Sequence, residues 1–361
     1  MRITLVAGAR PNFMKIAPII EAIKKKQDKG FQISFRLVHT GQHYDKNLSD
    51  TFFEELKIPH PDINLNIKSG TQAQQTAGIM IAFEDELNKH PCDLVLVVGD
   101  VTSTMACTIV AKKAGIKVAH VEAGIRSGDM QMPEEINRIV TDSLTDYFFT
   151  TSCYANENLQ HQGIDKTQIF FVGNVMIDTL KKHESRFSPP EFWYNFKLKP
   201  QHYFVVTLHR PSNVDEGKQL KNLITNIVKF SNNLPIIFPV HPRTRTMLTD
   251  LNLNFDNLYF TSPLGYLQFN YLVKHAFAVL TDSGGITEET TVMNIPCITL
   301  RENTERPETC KLGTNRLVGT DSDLLEKAFN DLFSKNWPHG QIPELWDGKT
   351  AERIINHLIE L

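Results

Sequence analysis

The stretch HVEAGIRSGDMQMPEEINR, residues 120–138, sits at the end of the apolar run Ile116–Val121 and carries Glu122, Arg126, Asp129, Glu134 and Arg138. Charged groups at the end of a buried strand carry a desolvation cost, so they need partners or a purpose. A second cluster, Gly99-Asp100-Val101-Thr102, lies just upstream. Carboxylates at the ends of two different strands are the equipment of acid/base chemistry in a cleft. Plainer roles compete for the same residues. Asp100 or Thr102 would serve as the cap of a following helix. Glu134 and Arg138 have the spacing of an exposed helical ion pair, and Pro133-Glu134-Glu135 is an ordinary helix start. Neither role accounts for Glu122 and Arg126, which follow a buried strand with Gly124 between them.

Basic and hydroxyl-bearing clusters recur elsewhere. GARPNFMK places Arg10 and Lys15 at a helix N-terminus, where they suit a phosphate, or else flank a helix started by Pro11. It is not GxGxxG, so no dinucleotide fingerprint is present there. TLHRPSN brings the imidazole of His209 beside the permanently charged Arg210, a pair suited to phosphate or leaving-group work. In TDSGGITEET, Ser283 is expected to cap a helix, and Gly284 and Gly285 let backbone amides approach an anion such as a diphosphate. Glu288 and Glu289, one turn in, suit hydroxyls such as a ribose diol. RENTERPE adds Arg301 and Arg306 after another apolar run, or a second proline-started helix. Anion donors thus fall in the second half and carboxylates in the first. That division suits a nucleotide diphosphate held by one domain, with its attached group worked on by the other.

These clusters need elements that hold them. Short apolar runs alternate with amphipathic stretches, the signature of βα units around parallel sheets. Strands are expected at Arg2–Ala7, Ser34–His39, Leu94–Gly99, Lys117–Val121, Tyr147–Thr151 and Ile169–Val172, then at Tyr203–Leu208, Pro235–Val240, Asn257–Thr261, Ala278–Thr281 and Cys297–Leu300. Lys15–Lys26 carries Ile16, Ile19, Ile20 and Ile23 on one helical face. Lys181–Pro200, charged, aromatic and proline-bearing, breaks the rhythm and is expected to be a linker. Two doubly wound α/β domains follow: residues 1–172 and 173–349, with the helix 350–361 crossing back onto the first. Every cluster falls at the carboxyl end of a strand, where open α/β sheets bind ligands.

The bulk numbers agree. A chain of 361 residues exceeds one ordinary core. Hydrophobic content of 41%, charged content of 22% and a net charge of −3 fit a globular protein with no general pull towards nucleic acid or an anionic membrane. No apolar run approaches the roughly 20 residues needed to span a bilayer. Cys92, Cys107, Cys153, Cys297 and Cys310 form no CxxC pair, so reduced thiols, no zinc site and a cytoplasmic location are expected. The first strand starts at once, without the regions of a signal peptide.

With these residues in view, the chain closely resembles the non-hydrolysing UDP-N-acetylglucosamine 2-epimerases. GARPNFMK, GQH, GDVTST, HVEAGIR, PEEINR, HR, HPR, SGG, EE and TERPE occur in family order nearly end to end. The resemblance implies two Rossmann-like domains of the GT-B type facing across a deep cleft, usually in a dimer. It implies interconversion of UDP-GlcNAc and UDP-ManNAc for surface-polysaccharide synthesis, without NAD or any other cofactor and without a metal. The mechanism it implies is removal of the C2 proton, anti elimination of UDP to a bound 2-acetamidoglucal, and re-addition with protonation from the opposite face. Asp100, Glu122 and Glu134 match the family's catalytic carboxylates, without an assignment of each to a step. His209 matches the histidine that helps UDP depart, and Arg10 and Lys15 match basic residues near the active site. Ser283 and Gly284 match the diphosphate-binding turn and Glu289 the ribose-binding glutamate; Gly285, Arg210 and Arg306 complete the expected substrate-binding set.

Three positions depart from the family pattern. Pro211-Ser212-Asn213 follows HR in place of a residue and Glu-Asn, and Thr287 stands where glutamine is usual. After Gln42-His43, Tyr44-Asp45-Lys46-Asn47 replaces the glutamine-rich stretch through which some members bind an activating second UDP-GlcNAc. The sugar acted on is not fixed by these motifs, and a deoxy or uronic acid analogue is the alternative. A GT-B glycosyltransferase would share the cleft but has no need of carboxylates on both faces of C2. A hydrolysing epimerase usually opens differently from GARPNFMK. A sensor that binds without turnover has no use for Asp100, Glu122 and Glu134.

Overall fold

In a computed structural model the chain divides into two compact units, Met1–Lys182 with Glu344–Leu361, and His183–Pro343. The described residues are 1–41, 53, 55–68, 70–240, 244–245, 247–248, 251 and 253–361, with the side chains of residues 10, 211 and 212 outside that set.

Unit 1 is built on seven parallel strands in the order β3-β2-β1-β4-β5-β6-β7. They are β1 (Arg2–Ala7), β2 (Ser34–His39), β3 (Ile63–Asn64), β4 (Leu94–Val98), β5 (Lys117–Val121), β6 (Tyr147–Thr150) and β7 (Ile169–Phe171). Its helices include α1 (Arg10–Asp28), α2 (Gln72–Lys89), α3 (Thr102–Lys113), α4 (Pro133–Leu144), α5 (Cys153–His161) and α6 (Val175–His183). All five residues of β4, LVLVV, are buried, as a parallel strand covered on both faces requires. Ile16, Ile19, Ile20 and Ile23 of α1 are all buried. The C-terminal helix Thr350–Glu360 packs on α1, and Asp178 of α6 caps it by accepting from the amides of Thr350 (3.1 Å) and Ala351 (2.7 Å). That bond set places α6 in the first unit, so the division falls at Lys182 rather than at 172.

Unit 2 has six parallel strands in the order β10-β9-β8-β11-β12-β13. They are β8 (Phe204–Thr207), β9 (Ile236–Pro239), β10 (Leu258–Thr261), β11 (Ala278–Thr281), β12 (Cys297–Thr299) and β13 (Asn315–Leu317). The helices α7 (Gly217–Phe230), α8 (Tyr266–His275), α9 (Gly284–Met293), α10 (Pro307–Lys311) and α11 (Ser322–Phe333) flank them. The expected linker Lys181–Pro200 is not one. Its Trp193 is buried in unit 2, with ring contacts to Tyr203 (5.6 Å) and Tyr271 (5.1 Å), so aromatic burial anchors the segment. The expected strands appear within a residue or two at each end, and the short edge strands β3 and β13 are additions.

In each sheet the chain reverses its direction of winding at one place, between β1 and β4 in unit 1 and between β8 and β11 in unit 2. These are the topological switch points, where loops diverge and leave a crevice beyond the strand ends.

Candidate functional site

In unit 1 the switch point joins the loops after β1 and β4. Asn12 ties them: its Oδ1 accepts from the amides of Gly8 (3.1 Å) and Ala9 (2.9 Å), and its Nδ2 donates to the Val98 carbonyl (3.0 Å). One turn on, Lys15 Nζ reaches Glu122 Oε2 at 2.7 Å, both side chains nearly buried. Glu122 has φ 70°, in the left-handed region that few non-glycine residues enter. Gly99 (φ 67°) lies under this pair; a Cβ there would come within 3.0 Å of Lys15 Nζ and 3.9 Å of Glu122 Oε2.

Asp100 is not a helix cap. Val101 holds the N-cap position of α3, without a side-chain capping bond, and Asp100 turns to Arg138 instead. Its Oδ2 accepts from Nε (3.0 Å) and Nη2 (2.6 Å) of that guanidinium. The expected pairing of Arg138 with Glu134 is replaced by one with Glu135 (2.6 Å). Successive helical residues point about 100° apart. Glu135 therefore faces inward, where it also accepts from the amides of Ser127 and Gly128, while Glu134 is exposed on the first turn of α4. Burial pushes the Glu135 carboxyl up, but those amides and Arg138 outweigh it and hold it below the ordinary value.

A third ion cluster lies behind these groups. His120 and Asp142 are both buried, and Asp142 also meets Arg126 Nη2 at 2.7 Å. Burial raises the Asp142 carboxyl, yet His120 and Arg126 together bring it below its usual range. Arg126 is thus a partner of Asp142, not of Glu122 or Glu134. Sequence reasoning missed Asp142, which looks like any polar position on a helix.

In unit 2 the switch point gathers His209, Arg210, Ser283, Gly284 and Gly285 around a residue given no role from sequence, Asp282. This buried carboxylate accepts from the amides of His209 and Arg210, from Asn213 Nδ2 (3.1 Å) and from His209 Nδ1 (2.7 Å). Burial pushes Asp282 up, and the bonds from His209 and Arg210 more than offset it. The imidazole of His209 is about half exposed, with Nδ1 fixed on Asp282.

Ser283 holds the N-cap position of α9, but its hydroxyl makes no capping bond. A Cβ on Gly284 would come within 2.9 Å of Glu305 Oε1, so the bare Cα makes room for that carboxylate, which pairs with Arg301 (2.7 Å) and lies 3.8 Å from Arg210 Nη2. Gly285 faces open space. Arg306 pairs through Nε with Glu288. Glu289, buried on α9, accepts from the Tyr266 hydroxyl at 2.9 Å; burial and the adjacent Glu288 raise it to about 7.

The side chain of Arg10 and the residues Gln42, His43 and Tyr44–Asn47 lie outside the described residues, as do His241, Pro242 and Arg243 of HPR. Among the described residues no cluster of metal-ligating side chains is present, and no helix is long and apolar enough to cross a membrane.

The family model described as UDP-N-acetylglucosamine 2-epimerase matches residues 24–359. A UDP-N-acetylglucosamine 2-epimerase of Methanocaldococcus jannaschii is 42% identical, with 99% of each chain covered. A solved structure of the UDP-GlcNAc 2-epimerase from that organism, in complex with UDP-GlcNAc and UDP, matches over 100% of both chains with TM-score 0.89 and 40% identity. A UDP-2,3-diacetamido-2,3-dideoxy-D-glucuronate 2-epimerase of Pseudomonas aeruginosa is 37% identical, again over 100% of both chains.

Proposed function

The chain belongs to the UDP-N-acetylglucosamine 2-epimerase family, and from that premise we propose that it inverts C2 of a UDP-linked 2-acetamido sugar, UDP-GlcNAc to UDP-ManNAc and back. The observation that carries the reading is the pair of switch points. One holds Glu122 and Asp100 in fixed ion contacts; the other holds an oriented histidine beside a helix N-terminus.

In unit 2 the first amides of α9, with Ser283, Gly284 and Gly285, receive the diphosphate, Arg210 and Arg306 belong to the same binding half, and Glu289 takes the ribose hydroxyls. In unit 1 a carboxylate drawn from Asp100, Glu122 and Glu134 removes the C2 proton, with Lys15 and Arg10 supplying positive charge. The C2–H electron pair forms the C1–C2 double bond, and the C1–O bond breaks with its pair passing to UDP. His209 and the helix amides stabilise that departing charge, the term expected to weigh most. The UDP oxygen then re-adds to C1 while a second acid protonates C2 from the opposite face. No hydride moves, so the cycle is redox-neutral. The enzyme is non-hydrolysing because the glucal and UDP stay bound until re-addition. Surface-polysaccharide synthesis in the cytoplasm, by a homodimer, is the setting this activity fits.

Product analysis tests the reading. Incubation with UDP-GlcNAc should give a mixture with UDP-ManNAc and no free sugar; free ManNAc with UDP would replace it by the hydrolysing reading. The identity to a diacetamido-glucuronate epimerase calls for the same assay on that UDP-uronate, and turnover of it alone would reassign the sugar.

A further inference from the structure

His120 lies two residues before Glu122 and is fully buried. Its Nδ1 is 2.7 Å from Asp142 Oδ1, and its Nε2 is 2.9 Å from the carbonyl oxygen of Gly99. Asp142 is ionised, since its other oxygen accepts from the amide of Gly124 (3.0 Å) and from Arg126 Nη2 (2.7 Å). Both neighbours of the ring are therefore acceptors. A neutral imidazole has one N–H to give, and would set a ring lone pair against an oxygen lone pair at the second contact. In a buried site that mismatch is costly.

We infer that His120 is held as a doubly protonated imidazolium, and that it acts as a positioning residue by locking the Gly99–Asp100 turn to the turn carrying Glu122. Among the described residues, the charged groups around the ring are Asp142 from α4, Arg126 on that carboxylate and, across Gly99, Lys15 of α1 with Glu122. The two bonds of His120 join three pieces of chain that diverge from the sheet: the ends of β4 and β5, and α4. The link to catalysis rests on the function proposed above; the protonation state does not.

Nitrogen-15 NMR of the full chain labelled at histidine reads both ring nitrogens directly. Both are expected to carry protons from about pH 6 to about pH 8, a range in which an exposed histidine loses one. A bare ring nitrogen on His120 in that range overturns the inference, whatever the activity. His120→Gln keeps a donor toward Gly99 and His120→Asn one toward Asp142, so each gives up one bond. Each should lose about 10- to 100-fold in kcat for C2 exchange, the effect of one unsatisfied buried acceptor expressed in the transition state, with the Kd for UDP unchanged within about twofold. Undiminished kcat in a folded variant overturns the positioning role. If neither variant folds, the wild-type NMR measurement still decides the protonation. A wild-type chain that shows protonated His120 but no C2 exchange refutes the proposed function and leaves the imidazolium standing.

Discussion

Glu122 occupies a backbone conformation that costs a non-glycine residue about 1–2 kcal/mol. The cost is met because β5 ends there abruptly, with the amides of Glu122 and Ala123 both donating to the carbonyl of Phe149, so the side chain turns back over Gly99 onto Lys15. Glycine would relieve the strain, and the carboxylate is present instead. The proposed role accounts for that choice: a proton-transfer group must be held, not merely placed. Glu122→Gln should lower C2 exchange by about 10²- to 10⁴-fold, the range for loss of an acid/base group, with UDP binding measured by calorimetry nearly intact. A variant that instead fails to fold would return Glu122 to a structural part as the counter-ion of Lys15.

At the scale of elements, strand ends were legible because burial is legible. LVLVV and the run into His120 read as strands, and charges at their ends had to be special. What lay beyond reach was pairing. Glu134 and Glu135 are adjacent and identical in type, and only the contact with Ser127, Gly128 and Arg138 selects Glu135 as the buried one. Asp282 and Asp142 were hidden because a carboxylate's partners come from other elements. Trp193 turned an apparent linker into part of a core, since three prolines and several charges outweigh the aromatics Phe187, Phe192, Trp193, Tyr194 and Phe196 in a reading by composition.

Two predictions belong to this scale. Gly124, after β5, has φ 77°, and a Cβ there would stand 2.4 Å from the carbonyl oxygen of Ala155 in α5. Gly124→Ala should therefore cost about 2–4 kcal/mol by denaturant unfolding, from backbone strain plus displacement of α5. A loss below that would mean α5 yields easily.

The second prediction concerns α9, where Glu289 has a folded pKa of about 7 against an ordinary 4.5. Its native state holds a proton more tightly than the unfolded chain. The associated stability is full below about pH 4.5 and fades as pH rises through about 7. Wild type should thus lose up to about 3 kcal/mol relative to Glu289→Gln between those limits, read as diverging Tm profiles. Parallel profiles would contradict it. Comparison with the variant removes the opposite contribution of the depressed Asp282 and Asp142, whose stability is lost as pH falls.

At the scale of the whole molecule, the two doubly wound sheets followed from alternation alone, and their switch points explain why the chemistry-bearing motifs recur at strand ends in both halves. The edge strands β3 and β13 escaped because two or three residues carry no periodicity. The division of labour, anion donors in one unit and acid/base groups in the other, is the account's central claim, and solvent isotope reports on it at the reacting carbon. Incubating the protein with UDP-GlcNAc in deuterium oxide and following the sugar by proton NMR should show reversible formation of the manno epimer with deuterium at C2. Epimer formed with its C2 hydrogen retained, or no exchange at all, would contradict proton transfer by these carboxylates.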